Sequence, residues 1–221
     1  MKKIAACLAA TLLILCATCL LILFSATTTF GQSFEGKVIY KHSYKSKSPG
    51  LRDDQLLTMM GSTEDYFIKG GAYKAVTNGT MMQWTLYSNT DNKVYSKLSN
   101  SETVFWTDGS VNTDAVLKSE LNKGVVTLLG YPCDELILTC RSGIQKYYFN
   151  QKIPVSLSLY TAHKYGNWYD YLSQAHALPL KTIISNAQFE MEETAIEVTP
   201  MKLEAQFFKL PENVKTAKSP Y

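Results

Sequence analysis

The 221-residue sequence predicts a mainly β fold (β-rich α+β), a curved antiparallel sheet or incomplete barrel with short helices or loops over one side. Three observations carry that expectation. From about Ser33 onward, short runs of period-two alternation are cut by turn residues at close spacing. The aromatics, fourteen Tyr, nine Phe and three Trp, fall largely within those runs, where β propensity favours them. No Pro/Gly-rich linker and no repeat of fixed period divides the chain. One domain over residues 33–221 is therefore expected, with a frayed tail from about residue 213.

Ahead of that domain, residues 1–32 read as a targeting leader. Lys2 and Lys3 form a positive start, Ile4 to Phe24 carries no charge, and small and polar residues follow from Ser25. That order is a secretory signal peptide. The apolar run is longer than the usual stretch of about 7–15 residues and close to the roughly 20 that span a bilayer. A cleaved leader and an uncleaved anchor are both open, and either one exports the domain. The expected location is the periplasm or outer cell envelope, or secretion, with membrane attachment only through the leader. Cys16-Ala17-Thr18-Cys19 has C-x-x-C spacing, but an apolar targeting segment is no place for a redox or zinc centre.

The two leader lysines supply most of the net charge of +3, leaving the remainder near neutral. No basic run interleaved with aromatics exists to displace counterions, which argues against nucleic acid as a partner.

The elements follow in order. Phe34 to His42 alternates as a half-buried strand, and Ser46 to Gly50 is a loop. Asp53 or Asp54 can cap a short helix through Met60, stopped at Gly61. Asp65–Lys69 and Tyr73–Thr77 flank Gly70-Gly71, a dipeptide suited to the positive φ of a tight hairpin. Thr80–Ser88 and Lys93–Leu98 flank the turn cluster Asn89-Thr90-Asp91-Asn92. Glu102–Thr107 is a further strand, and Asn112–Asn122 reads as a short helix begun by Thr113 or Asp114. Gly124 to Asn150 is a run of strands broken at Gly130 and at Arg141-Ser142-Gly143, placed at the middle of the sheet. After Pro154 comes an irregular connection with helical turns over Trp168–Ala175. Leu180–Ser185, Phe189–Val198 and Lys202–Phe208 complete the strands.

Candidate chemistry is sparse. Cys133 and Cys140 are the only cysteines outside the leader, and export would permit a disulfide. Six strand-like residues between them place their Cα atoms roughly 23 Å apart, at about 3.3 Å per residue, far beyond the reach of a disulfide. An odd separation also points the side chains to opposite faces, so two independent structural thiols are expected. His42, His163 and His176 show neither H-x-x-x-H nor H-E-x-x-H spacing; the last two are expected at the surface. Glu192-Glu193 and Asp134-Glu135 are sequence neighbours whose side chains diverge on a strand, which makes no acid/base pair. Asn78-Gly79-Thr80 fits a glycosylation acceptor, a tripeptide common by chance. No G-x-S-x-G and no phosphate loop is present. No catalytic, cofactor-binding or metal-ligating residue is assigned, and ligand-binding residues are unknown.

The aromatics are the remaining signal. In Val104-Phe105-Trp106 and Tyr147-Tyr148-Phe149 apolar side chains point to both faces. A sheet covered on both sides would do this, as would one whose concave face holds an apolar ligand.

Several short motifs resemble a family of exported bacterial proteins built on a domain of unknown function. They are Phe34-Glu35-Gly36-Lys37-Val38-Ile39-Tyr40, Tyr66-Phe67-Ile68-Lys69-Gly70-Gly71, Leu129-Gly130-Tyr131-Pro132-Cys133 and Lys146-Tyr147-Tyr148-Phe149. Leu178-Pro179-Leu180, Glu197-Val198-Thr199-Pro200 and Phe208-Lys209-Leu210-Pro211 complete the set. Such proteins look similar in fold to periplasmic lipoprotein carriers of the LolA type, incomplete curved barrels closed on the concave side by helices or loops. The resemblance implies an apolar cavity and no established activity. Together with the leader and aromatics it leads us to expect an exported, non-enzymatic envelope protein. Its partner would be a lipid or other apolar ligand. An envelope structural or interaction module without a cavity, working through an envelope protein partner, is the alternative.

Overall fold

Every strand from Gly36 onward finds its neighbour in one twelve-stranded sheet. The computed structural model describes residues 33–220; the leader and its cysteines lie outside the described residues. The strands are β1 (Gly36–Ser46), β2 (Thr63–Lys69), β3 (Ala72–Thr77), β4 (Met82–Ser88), β5 (Lys93–Leu98) and β6 (Val104–Asp108). Then come β7 (Val116–Leu128), β8 (Tyr131–Cys140), β9 (Gly143–Pro154), β10 (Ala177–Asn186), β11 (Phe189–Pro200) and β12 (Thr216–Lys218). Among the described residues two α-helices accompany them, α1 (Asp53–Met60) and α2 (Trp168–Ala175).

The sheet is open and curved, in the order β12-β6-β5-β4-β3-β2-β1-β11-β10-β9-β8-β7. All pairings are antiparallel except β12 on β6. β1 thus lies near the centre, paired with β2 on one side and β11 on the other. The chain lays down one half of the sheet outward from β1, and the other half returns to it through β10 and β11.

Local chemistry explains the turns. Gly70 and Gly71 both adopt positive φ, 52° and 84°, as a two-residue hairpin of the right twist requires. Gly61 closes α1 at φ 106°. The cap at the other end is Arg52, whose N–H donates to Gln55 Oε1.

Period-two alternation sorts residues onto two apolar layers, one per face. Val38, Tyr40, Leu136, Leu138, Tyr147, Phe149 and Leu180 belong to the larger cluster, under α2 and the connection from Val155 to His176. We call this the inner face. On the outer face of the β2–β6 half, Leu86, Tyr95 and Val104 pack with Leu203 and Phe208 of the C-terminal segment. Leu86 and Tyr87 therefore serve different cores, which accounts for the two-sided apolar strands. Burying a side chain such as Leu136, Leu138 or Phe149 completely is worth roughly 1.5–3 kcal/mol each.

Four local expectations are corrected. Asn112–Asn122 is not helical: from Val116 the chain extends as β7 and pairs along β8. The polar residues that suggested a helix cap instead hold a neighbouring turn, for Asp114 accepts the Ser142 N–H at 2.9 Å and its hydroxyl at 2.6 Å. Lys202–Phe208 is not a strand. The Glu35 carboxylate accepts the Leu203 N–H at 2.6 Å and the Lys69 ammonium donates to the Leu203 carbonyl, which lifts the chain off the ladder. A 3-10 turn over Ala205–Phe208 follows. The Gly124–Asn150 hairpins occupy one edge of the sheet, not its middle, because β10 and β11 intervene between them and β1. Finally, the tail carries β12, whose Thr216–Lys218 pair with Val104–Trp106.

Candidate functional site

The inner face of the central strands is not filled completely. Between it and α2 lies a cavity of about 200 Å³. Tyr40, Tyr66, Tyr73 and Ala75 form one wall, Leu178, Pro179 and Ile184 another, and Trp168 of α2 overhangs it. The rings make a continuous array. Tyr40 meets Tyr66 edge to face at 6.1 Å, and Tyr66 stacks on Tyr73 at 5.4 Å. Tyr73 in turn stacks on Tyr87 at 5.4 Å, and Tyr87 on His163 at 3.9 Å. Offset and edge-on pairs of this kind are favourable arrangements for ring quadrupoles. Two phenols are fixed by hydrogen bonds, Tyr40 OH to the Pro179 carbonyl at 2.7 Å and Tyr73 OH with His163 Nε2 at 3.0 Å. The Trp168 indole N–H is buried without a partner.

One end of this apolar pocket is acidic. Register places the residues: Glu64 on β2 faces Tyr40 on β1, while His42 on β1 faces Glu193 on β11. Thr182 on β10 faces Glu193 in turn, and Tyr147 on β9 faces Thr182. Tyr147, Thr182, Glu193 and His42 therefore form a row across four strands on the inner face. His42, Glu64 and Glu193 each offer a donor atom within 4.8 Å of the other two. Glu64 and Glu193 both line the pocket, half-buried in area yet enclosed by protein on their other sides.

The electrostatics follow from that enclosure. Burial disfavours the ionised form of both carboxyls and raises them above the ordinary carboxylate range, and the neighbouring Glu193 charge pushes Glu64 further. Two carboxylates this close share protons rather than ionise independently. Burial likewise lowers His42, opposed by the neighbouring Gly61 backbone. No cationic side chain balances the pair. On the same strands, Asp65 is bound to Lys37 at 2.9 Å and Glu192 to Lys181 at 2.8 Å, yet neither Glu64 nor Glu193 has an ion pair among the described residues.

Two larger depressions, about 380 and about 320 Å³, lie elsewhere. In the first, Asp134 is bound to Lys123 at 2.7 Å; in the second, Asp91 accepts the Tyr95 hydroxyl. Their carboxylates are already partnered.

Cys133 and Cys140 are free and buried, as independent thiols. They share the inner core rather than opposite faces, and the β7–β8 register shifts beside Cys133. Burial raises both thiols, Cys140 to about 11. His163 is not a surface residue: it is 1% exposed, held in the Tyr73–Tyr87 stack. His176 is exposed, at the end of α2. Glu192 and Glu193 do diverge, as adjacent strand residues must. What sequence reasoning missed is that Glu193 meets Glu64 and His42 across strands. The detectable signal was three inward positions holding His or Glu where alternation calls for apolar residues. Asn78 uses its amide locally, accepting the Ser62 and Thr63 N–H groups. Neither the His42 nor the His163 imidazole is hydrogen-bonded to a serine or cysteine among the described residues.

No known family model matches the chain, and no curated protein matches it. Solved structures resemble it at low identity, three of them as follows. PNGF-II shares 14% identity at a TM-score of 0.46, over 85% of this chain and 32% of that one; this chain thus spans about a third of PNGF-II. The LolA superfamily protein NE2245 from Nitrosomonas europaea shares 8% identity at a TM-score of 0.38, over 81% of this chain and 92% of that one. The Mycobacterium tuberculosis lipoprotein LppX shares 11% identity at a TM-score of 0.32, over 77% and 90%.

Proposed function

We propose that this chain is an exported, non-enzymatic binding protein of the bacterial envelope that takes a small apolar or amphipathic ligand in the inner pocket. The observation that carries the reading is the pocket itself: an aromatic-walled cavity of about 200 Å³ on the inner face of a curved sheet. Ligand sites are mostly apolar concavities with a few placed polar groups, and Glu64 and Glu193 supply such groups here. Drug-sized ligands occupy about 300–1,000 Å³. The pocket therefore suits a ring or a short acyl segment, with the remainder of a longer lipid extending beyond it. Export rests on the leader of residues 1–32 with its uncharged run over residues 4–24, and no helix among the described residues is long and apolar enough to cross a membrane.

Native mass spectrometry of the protein purified from its host membrane and envelope fractions tests the reading. A co-purified small amphiphile is expected, displaced by a fluorescent fatty acid. The variant Ala75→Leu, which fills the cavity from β3, should lose that binding while staying folded. An empty protein with no affinity for the fatty acid would overturn the proposal.

The alternative reading, an interaction module, draws on β7. This edge strand exposes Leu117, Leu121, Val125 and Val126, and a free edge with apolar side chains is what strand addition by an envelope protein partner uses. Leu121→Lys and Val125→Lys should abolish any such association without affecting fatty-acid binding.

A further inference from the structure

We propose that His42, Glu64 and Glu193 form a binding site for a divalent transition-metal ion of the zinc type, at the acidic end of the inner pocket. The three donor atoms lie within 4.8 Å of one another. Ligands held about 2.0–2.2 Å from zinc can be no more than about 4.4 Å apart. Small side-chain rotations therefore close the set around an ion, with no change in the strands.

Beyond the clustering, His42 points to a ligand. It is 6% exposed, and its Nε2 atom is buried with no hydrogen-bond partner. Buried polar atoms are nearly always paired. The other ring nitrogen, Nδ1, lies 3.5 Å from Tyr44 OH, a distance too long for a good bond. Uncompensated charge points the same way. The outward carboxylates of these strands, Asp65 and Glu192, have lysine partners, whereas the inward pair has none. A divalent cation neutralises two carboxylates and gives the unpartnered Nε2 atom a bond.

The donor set selects the metal class. Calcium takes six to eight oxygens and magnesium keeps an octahedron of oxygens and waters. One imidazole with two carboxylates suits zinc and its neighbours. Three protein ligands leave a fourth position, and here that position opens into the aromatic pocket, because Glu64 and Glu193 line it. The fourth ligand would be water or an oxygen donor of whatever enters. The metal site does not depend on an apolar ligand being bound, so its test is separate from that of the binding reading.

The test is calorimetric titration of the full chain, without a histidine tag and stripped with chelator, using zinc chloride. One zinc per chain at micromolar affinity or tighter is expected. Glu64→Gln, Glu193→Gln and His42→Gln should each weaken it by at least about tenfold. The glutamine variants at 64 and 193 keep the side-chain volume and remove charge repulsion, so circular dichroism should find them folded. As a second measurement, zinc should raise the Tm of the wild type and leave that of the Glu64→Gln/Glu193→Gln double variant unchanged. Equal Tm shifts in both, no stoichiometric zinc uptake, or uptake of calcium or magnesium in preference to zinc would overturn the proposal.

Discussion

The Tyr87 ring lies parallel to the His163 imidazole at 3.9 Å between centroids and 18° between planes. This contact ties the β4 strand to the connection that covers the inner face, and it keeps the imidazole dry. Burial lowers His163 to about 3. The groups packed against it, Tyr73, Tyr87, Tyr160 and Trp168, are uncharged in acid; Lys164 beside it lies over the Tyr169 ring. In the folded protein the imidazole stays neutral down to about pH 3, whereas the unfolded chain takes a proton near 6.5. The unfolded state then binds more protons, so stability falls as pH drops from 6.5 toward 3. Glu64 and Glu193, raised when folded, act in the opposite sense above their ordinary carboxylate value. The contribution of His163 is therefore isolated by comparison with His163→Phe. Between pH 7 and pH 5 the wild type should lose about 2 kcal/mol relative to the variant. Urea unfolding at the two pH values measures it, and identical pH dependence would refute the assignment.

Tyr171 on α2 is fully buried, stacks on Tyr147 at 4.3 Å and donates its hydroxyl to the Ala177 carbonyl at 2.8 Å. Its two parts separate by substitution. Tyr171→Phe keeps the ring and removes one hydrogen bond, a loss of about 0.5–1.5 kcal/mol. Tyr171→Ala also opens a cavity beneath α2 and should cost about 3–5 kcal/mol. Chemical denaturation of both variants reads the difference. Equal costs would mean that the ring contributes nothing beyond its hydroxyl.

Gly70 and Gly71 form one hairpin, but a side chain would be tolerated differently at the two. A Cβ at Gly70 meets nothing within 4 Å, while one at Gly71 would lie 2.2 Å from Asn89 Nδ2 and 3.1 Å from the Leu159 carbonyl. Asn89 Nδ2 donates to that same carbonyl at 3.2 Å, latching the hairpin end of β4 to the covering connection. Gly70→Ala should cost only the positive-φ penalty, about 1–2 kcal/mol. Gly71→Ala should cost more and should loosen the connection, seen as faster hydrogen exchange around Leu159. Similar exchange in the two variants would argue against the latch.

Much of this architecture was legible because it is local. Alternation from Val38 to His42, the Gly70-Gly71 turn and the helical turns at Trp168–Ala175 each declare themselves within a few residues. The acidic pocket was not. Glu64, His42 and Glu193 are brought together only by the registers of β2 and β11 on β1, and register between distant strands is set by topology rather than local pattern. In the sequence Glu193 has Glu192 as its acidic neighbour, and from it the side chain diverges. The connection around His163 lacks periodicity and so suggests a polar surface residue, yet its ring is buried by tyrosines from β3 and β4. The same nonlocality moved Asn112–Asn122 from helix to strand: Asp114 finds Ser142 across the sheet, so its capping potential is used elsewhere.

Cys133 and Cys140 should behave as core atoms rather than as reactive groups. Both are buried and free, and burial raises both thiols, so little thiolate exists at neutral pH to attack an alkylating agent. Cys140 Sγ additionally accepts an N–H from the Asn167 side chain at 3.3 Å. Asn167 itself is fully buried, bonded to Asn112 and close to Gln145, and it precedes α2. Iodoacetamide applied to the native protein at pH 7.5 should leave residues 133 and 140 unmodified by peptide mass spectrometry, with full modification after urea denaturation. A mild oxidant applied to the native protein should likewise yield no Cys133–Cys140 disulfide. Cys140→Ser should keep the fold but weaken it by about 1–3 kcal/mol, because a hydroxyl replaces a soft apolar atom in the core. Rapid native labelling at either position would show that the edge formed by β7, β8 and β9 opens far more often than its packing against α2 implies.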